Sequence, residues 1–298
     1  MSNKLYFGAI LFISLFLTNC ATRNVPVNPT PTEVLPNSDL LGNLTLYASF
    51  DKGFDAGFAK GDGTIFTAPA YDQIPKSTSG MTVASIKRVA GEGVGGGTAV
   101  HFTEKTQPVI FYSSLLNMSY DKQNWNGTIS LWLKVNPEED LAPGYTDPIQ
   151  ITDSGYDDAG LWVDFSNKNP RSFRMGLYGD REVWNPKKIG PDENPAFQNR
   201  LLAAKDRPFS RENWTHVVVS FSKLNTENGR ADFYINGLHQ GHRDISEPFT
   251  WEYEKSKIFL GLNYVGMLDE VALFDRNFNT AEVLQLYELE GGLKVLIE

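Results

Sequence analysis

From Leu44 onward, hydrophobic and polar residues alternate in short runs punctuated by Gly, Asn, Asp and Pro. In TISLWLKV (128–135), Ile129, Leu131, Leu133 and Val135 fall on one side of an extended chain, and Thr128, Ser130, Trp132 and Lys134 fall on the other. Successive side chains of a strand point to opposite faces, so this run predicts a strand with one face in a core. LTLYASF, GLWVDF, SFRMGLYG, WTHVVVSF, ADFYI, KIFLGL and DEVALFD read the same way. In WTHVVVSF both rows are bulky, with Val217, Val219 and Phe221 opposite Trp214, His216 and Val218. Both of its faces are therefore expected to be covered, and His216 to be a satisfied core histidine. Many strands and few helical stretches predict an all-β fold, a two-sheet antiparallel jelly-roll sandwich. Asn228-Gly229 and Asn236-Gly237 separate strand runs and accept the positive φ angles of tight hairpins. One short C-terminal helix is expected in NTAEVLQLYELEGG, with Asn279 as N-cap, Glu282 three residues on, Val283, Leu286 and Tyr287 on one face, and Gly291-Gly292 as the stop. It should cover one edge of the sandwich.

The N-terminus has a different texture. The apolar run LYFGAILFISLFL (5–17) is shorter than the about 20 residues of a spanning helix and suits the central region of a secretory signal. It closes on Cys20, the only cysteine in the chain. The arrangement resembles a bacterial lipoprotein signal: Leu17 and Thr18 match the usual residues before the modified cysteine, whereas Asn19 departs from the favoured small residue. The resemblance implies a signal peptide over 1–19, lipid attachment and membrane contact at Cys20, and, with Ala21 rather than Asp next, an outer-membrane lipoprotein of the bacterial cell envelope. Several acyl chains on one cysteine would anchor durably where a single chain holds only marginally. The alternative is an ordinary signal with an incidental cysteine. Prolines 26, 29, 31 and 36 make residues 20–43 an extended tether ahead of a domain over 44–298. With Cys20 so used, no thiol remains for a disulfide, and stability must come from the core.

Lys and Arg total 27 against 36 Asp and Glu, a net charge of −9. That balance argues against a polyanion-binding face and hence against a nucleic-acid partner.

The order of pieces then carries a resemblance. YASFD (47–51), the glycine-rich GEGVGGGTAVHF (91–102), TISLWLKV, NWTHVVVSF (213–221), DFYINGLHQG (232–241) and LDEVALFDRNFNTAEVLQLY (268–287) resemble, in that sequence, laminin-G-like (LamG) domains of the concanavalin A-like lectin and glucanase superfamily. The resemblance implies a concanavalin A-like jelly roll over essentially all of 44–298. It also implies a possible structural calcium, with Asp51 and Asp269 at the positions resembling the family's ligands. The competing reading is that both carboxylates cap turns or pair with nearby cations.

Catalysis is the weaker reading. Retaining glycosidases of this architecture set carboxylates at alternating positions of one strand, as Glu-x-Asp-x-Glu, about 5 Å apart. No such run occurs; the nearest sets are Asp157, Asp158 and Asp164 in YDDAGLWVDF and Asp269, Glu270 and Asp275 in LDEVALFD. His239 and His242 form an H-x-x-H pair, but on a hairpin rather than the helix that usually presents zinc ligands at such spacing. The glycines of GEGVGGG lack a following Lys-Ser/Thr and read as a flexible turn, not a phosphate loop.

Binding is the leading expectation. Sugars present apolar C–H faces and many hydroxyls, so their sites want aromatic platforms beside Asp, Asn or Arg. Tyr156 with Asp157 and Asp158, Tyr178 with Asp180 and Arg181, Trp184 with Asn185, and later Trp251 and Tyr253 offer both. Trp184, Tyr178, Tyr156, Asp180 and Trp251 are thus the candidate ligand-binding residues, with Trp184 and Tyr178 first. The long polar stretch from Tyr178 to Phe209 is expected to form extended recognition loops. The alternative is an adhesive scaffold whose partner is another envelope or surface protein.

Overall fold

The computed structural model describes Met1 and residues 40–297. Apart from Met1, the leader over 1–19, Cys20 and the tether as far as Asp39 lie outside the described residues. Among the described residues no helix is long and apolar enough to cross a membrane.

The alternating runs form antiparallel strands. In chain order these are β1 (Leu44–Ala48), β2 (Phe58–Ala59), β3 (Phe66–Ala68), β4 (Thr78–Ser79), β5 (Ile86–Ala90), β6 (Thr98–Phe102), β7 (Val109–Ser113), β8 (Trp125–Lys134) and β9 (Thr146–Thr152). There follow β10 (Gly160–Phe165), β11 (Phe173–Tyr178), β12 (Leu201–Ala203), β13 (Thr215–Leu224), β14 (Gly229–Ile235), β15 (Leu238–Ile245), β16 (Lys257–Leu262) and β17 (Gly266–Phe274). They build two sheets. One has nine strands in the order β15-β14-β13-β8-β17-β1-β2, with β6 also on β17 and β5 on β6. The other has eight, in the order β12-β11-β10-β9-β16-β7-β3-β4.

The inward rows of the two sheets form the main core. Ile129, Leu131, Leu133, Val217, Val219 and Phe221 of the first meet Ile149, Ile151, Leu161, Val163, Met175 and Ile258 of the second. Burying such rows against each other is the chief stabilising contribution open to a chain with no second cysteine to cross-link. The outward row of β13 is covered as well. Val218 joins Tyr234, Ala272 and Phe274 beneath Val283 and Leu286.

Short helices complete the fold: α1 (Arg181–Trp184), α2 (Pro195–Gln198), α3 (Thr280–Tyr287) and α4 (Lys294–Ile297). Helix α3 starts with the expected capping box, Asn279 accepting from the Ala281 and Glu282 amides while Glu282 accepts from the Asn279 amide. It lies across the outward face of the nine-stranded sheet rather than along an edge, because β13, β14 and β17 present a bulky apolar row there. His216 packs against the Trp132 ring with Tyr287 stacked beside both, and it shares a 2.8 Å hydrogen bond with Ser130 Oγ. Its buried Nδ1 has no hydrogen-bond partner among the described residues, so the expected full satisfaction is not met. Burial pushes its pKa down to about 3, so it is a neutral core residue.

Two boundaries differ from expectation. Asn236 and Gly237 have φ of 49° and 76° in the two-residue loop joining β14 to β15, as a tight hairpin requires. Positive φ near the β13–β14 turn, however, falls at Lys223 and Asn225, and Gly229 already belongs to β14. At the N-terminal side, Leu40 is fully buried with Tyr47, Phe278 and Leu293. Packing among the described residues therefore already includes part of the segment assigned to the tether, because Leu40 joins the apolar layer that α3 covers.

Candidate ligand-binding cleft

The outward face of the eight-stranded sheet carries a row of polar and aromatic side chains that alternation places there. Strand β10 sends Leu161, Val163 and Phe165 into the core and leaves Trp162 and Asp164 on the opposite side. Strand β11 does the same with Phe173, Met175 and Leu177 inward and Arg174, Gly176 and Tyr178 outward. The register sets Trp162 opposite Gly176 and Asp164 opposite Arg174. A Cβ at residue 176 would come within 2.2 Å of the Trp162 ring, so glycine there lets the indole lie flat over the neighbouring strand. Arg174 grips Asp164 through both fork positions, with Nε 2.8 Å from Oδ1 and Nη2 on Oδ2.

Trp162, Asp164 and Arg174 of this row line a cavity of about 680 Å3. Its walls include Tyr71, Tyr145 and Tyr156, with Asp147, Gln150 and Asn263 between them. Gln150 Nε2 donates to the Tyr71 hydroxyl at 2.5 Å, and the Arg174 guanidinium lies over the Tyr145 ring at 5.2 Å. Burial pushes the Asp164 carboxyl up to about 6 against the pull of Arg174. Burial, then the charge of Asp164, pushes Asp147 well above the usual carboxylate range. A second depression of about 340 Å3, lined by Asp153, Ser154, Lys255 and Lys257, shares Tyr71 as a wall.

The site residues expected from sequence divide sharply. Tyr156 lines the cleft and is 40% exposed. Tyr178 (0% exposed) and Trp184 (8%) do not offer platforms; with Trp162 and Phe197 they form a small apolar cluster. Tyr178 donates to the Phe197 carbonyl at 2.9 Å and Trp184 Nε1 to the Asp157 carbonyl at 3.1 Å. The physical reason is that the segment from Tyr178 to Phe209, expected to be extended loop, folds into α1 and α2 and needs apolar anchors to stay on the sheet. Trp251 (3% exposed) belongs to the main core, against Trp125 at 4.7 Å, with its Nε1 on the Ala159 carbonyl. Asp180 is the N-cap of α1 and accepts from the Glu182 amide at 2.8 Å. The same segment still contributes Pro191 and Phe197 to the cleft wall.

Asp51 and Asp269 meet around the glycine-rich turn. Asp51 Oδ1 accepts from the Thr98 amide at 2.6 Å, and Asp269 Oδ2 from the Val94 amide at 2.7 Å. Lys294 Nζ donates to the Val94 carbonyl at 3.0 Å and lies 3.7 Å from Asp51 Oδ2. Glu270 accepts from the Tyr47 hydroxyl at 2.5 Å and the Leu293 amide at 2.6 Å. A Cβ on Gly97 would sit 2.4 Å from Lys294 Nζ and 2.7 Å from Asp51 Oδ1, which explains a glycine in this turn. The arrangement does not fit a calcium ion: calcium needs six or more oxygens in one shell. Here the carboxylates bind backbone donors, and an ammonium supplies the positive charge. The remaining negative charge has another outlet. Burial, then Glu270, pushes Asp269 up to about 8, and burial pushes Glu270 up to about 7.

Sequence reasoning missed Tyr71, Tyr145, Gln150, Asp147 and Arg174 and considered Asp164 only as a catalytic candidate. The usable signal was the outward row of β10 and β11, where a Trp, an Asp and an Arg replace the small polar residues of an open face.

A profile of the laminin G family, described as the concanavalin A-like lectin/glucanases superfamily, matches residues 112–284, more than half of the chain. The chain belongs to this family. Solved structures resemble this laminin G domain at low identity. Domain 4 of AbnA, a GH43 extracellular arabinanase from Geobacillus stearothermophilus in complex with arabinotriose, superposes with a TM-score of 0.51 at 17% identity, covering 83% of this chain and 98% of that one. The binding domain of Paraclostridial Mosquitocidal Protein 1 gives 0.51 at 15%, covering 83% of this chain and 52% of that chain, about half of its length. At such identities the likeness is one of fold. No curated protein matches the chain by sequence.

Proposed function

We propose that this is an exported bacterial lipoprotein, anchored through Cys20 at the outer membrane, whose laminin G domain binds an oligosaccharide in the cleft of the eight-stranded sheet. The observation that carries the reading is the cleft's composition. Three partly exposed tyrosines line it together with the hydrogen-bonding side chains of Asp147, Gln150, Asp164, Arg174 and Asn263, in a volume of about 680 Å3. Aromatic rings take the C–H face of a sugar, and carboxylates and amides fix its hydroxyls. The Tyr71 phenol accepts from Gln150 and keeps its own O–H to donate. The adjoining depression past Tyr71 gives room for a further sugar unit. Binding rather than bond cleavage is favoured because Asp164 is committed to a two-point ion pair with Arg174. The fold shared with an arabinanase domain solved with arabinotriose supports a glycan as the first class to test.

The test is a panel of plant and microbial polysaccharides and envelope proteins offered to the purified full chain, with Tyr156→Ala and Tyr71→Phe as site variants. The reading predicts selective binding of a glycan, weakened about tenfold by Tyr156→Ala, as loss of one stacking contact implies. A protein partner retained in both variants, with silence on every glycan, would instead establish an adhesive scaffold.

A further inference from the structure

The H-x-x-H pair on the last hairpin has no part in the cleft. On an unbroken strand, residues three apart point to opposite faces. Strand β15 is broken by a bulge: Phe233 of β14 faces Gly241, whereas Tyr234 faces His239, so Gln240 is the extra residue. The bulge turns His239 and His242 to the same face, and the register sets His242 directly opposite Asp232. The two imidazole rings stack at 6.5 Å with 12° between their planes, and His239 Nε2 is 2.9 Å from Asp232 Oδ1. One ligand atom from each of the three residues lies within 4.8 Å of the others.

We propose that Asp232, His239 and His242 form a binding site for a divalent transition-metal ion of the zinc or copper class. Two imidazoles and one carboxylate are the donor set that such ions prefer over calcium or magnesium. Three protein ligands with the remaining positions open to water is the composition of a non-structural zinc site. Ligands of a tetrahedral ion stand roughly 3.3 Å apart, so the most widely separated of the three groups must close by up to about 1.5 Å. Both histidines are exposed, which leaves their rotamers free to do so. Asp232 is now held by Arg230, with Nε 2.9 Å and Nη2 2.7 Å from its oxygens. Arg230 has a substitute partner, since Asp244 is its cross-strand neighbour in the same register. The metal therefore exchanges one carboxylate for another at the guanidinium and leaves no charge stranded. The site lies on the terminal strand pair of the nine-stranded sheet, so the ion would clamp the two outermost strands of that sheet, on the opposite layer from the cleft.

The experiment is calorimetric titration of the metal-free full chain with Zn2+ and with Cu2+, repeated on His239→Asn, His242→Asn and the double variant, with His101→Asn as control. The proposal predicts micromolar binding near one equivalent, weakened by about tenfold or more in each single variant, lost in the double variant and unchanged in the control. Electron paramagnetic resonance of the copper form should show nitrogen coupling from two imidazoles, falling to one in each single variant. Zn2+ should raise Tm in the wild type and leave the double variant unmoved, while the two proteins share one metal-free Tm. Equal affinity in wild type and double variant, or no binding tighter than millimolar, overturns the proposal.

Discussion

Arg174→Met isolates the ion pair under the cleft. Asp164 is 2% exposed and relies on the guanidinium for two of its hydrogen bonds. Without Arg174 its carboxylate has two routes, to remain charged in an apolar setting or to take up a proton. Protonation sets an upper limit on the loss. Keeping a carboxyl of ordinary pKa 3.8 neutral costs about 5 kcal/mol at pH 7.5 and under about 2 kcal/mol at pH 5. The wild type already carries part of this, because Asp164 titrates at about 6; its share is about 3 kcal/mol at pH 7.5 and the same small amount at pH 5. The difference left to the variant is about 2 kcal/mol at pH 7.5 and near zero at pH 5. Lost packing of the arginine stem and of its contact with Tyr145 adds about 1 kcal/mol at both. Urea unfolding at the two pH values measures this directly. The Asp164→Asn/Arg174→Met double variant, which carries a permanently neutral partner, should recover most of the loss at pH 7.5 and show little pH dependence. An equal loss at both pH values in the single variant would refute the reasoning, since the effect would then be packing and not charge.

Other expectations follow from the same geometry. Gly176→Ala places a methyl within 2.2 Å of the Trp162 ring and should lower stability by about 1–3 kcal/mol, read as a drop in the urea midpoint with unchanged slope. Asp269 and Glu270 have folded-state pKa values of about 8 and about 7, raised above those of the unfolded chain, so the folded protein holds more protons between. Their contribution is complete below about pH 4 and lost as pH rises through 7 and 8, at up to about 1.4 kcal/mol per unit per proton. Tm should fall over that range and Asp269→Asn should flatten the fall; a Tm that rises from pH 6 to 8.5 contradicts this. Because Lys294 supplies the cation beside Asp51, millimolar calcium should leave the Tm of metal-free protein unchanged, and a rise of several degrees would show that these carboxylates rearrange to hold an ion.

What could be read in advance depended on the range of the physics involved. Alternation in 128–135 and 215–221 is a local property, and both strands bury the faces it indicates. The capping box at Asn279 and the Asn236-Gly237 hairpin are also local and appear as expected. Trp184 and Trp251 failed as platforms because an aromatic in a loop-like stretch has the same sequence signature whether it faces solvent or anchors that stretch; their indole nitrogens bond to the carbonyls of Asp157 and Ala159 across long separations. Tyr71 reaches the cleft from a short helical turn after β3, and its bond to Gln150 spans 79 positions, which no periodicity reports. Lys294 against Asp51 and the His239–His242 pairing likewise depend on tertiary register, in the second case on a single extra residue in β15.

The most direct test of the central claim is a crystal structure of the protein with the tightest-binding oligosaccharide from the panel. The account predicts sugar density in the cleft, with one ring against Tyr156 and hydroxyls within hydrogen-bond distance of Asp147, Gln150 or Tyr71. Sugar seated anywhere else, with this cleft empty of it, would contradict the assignment.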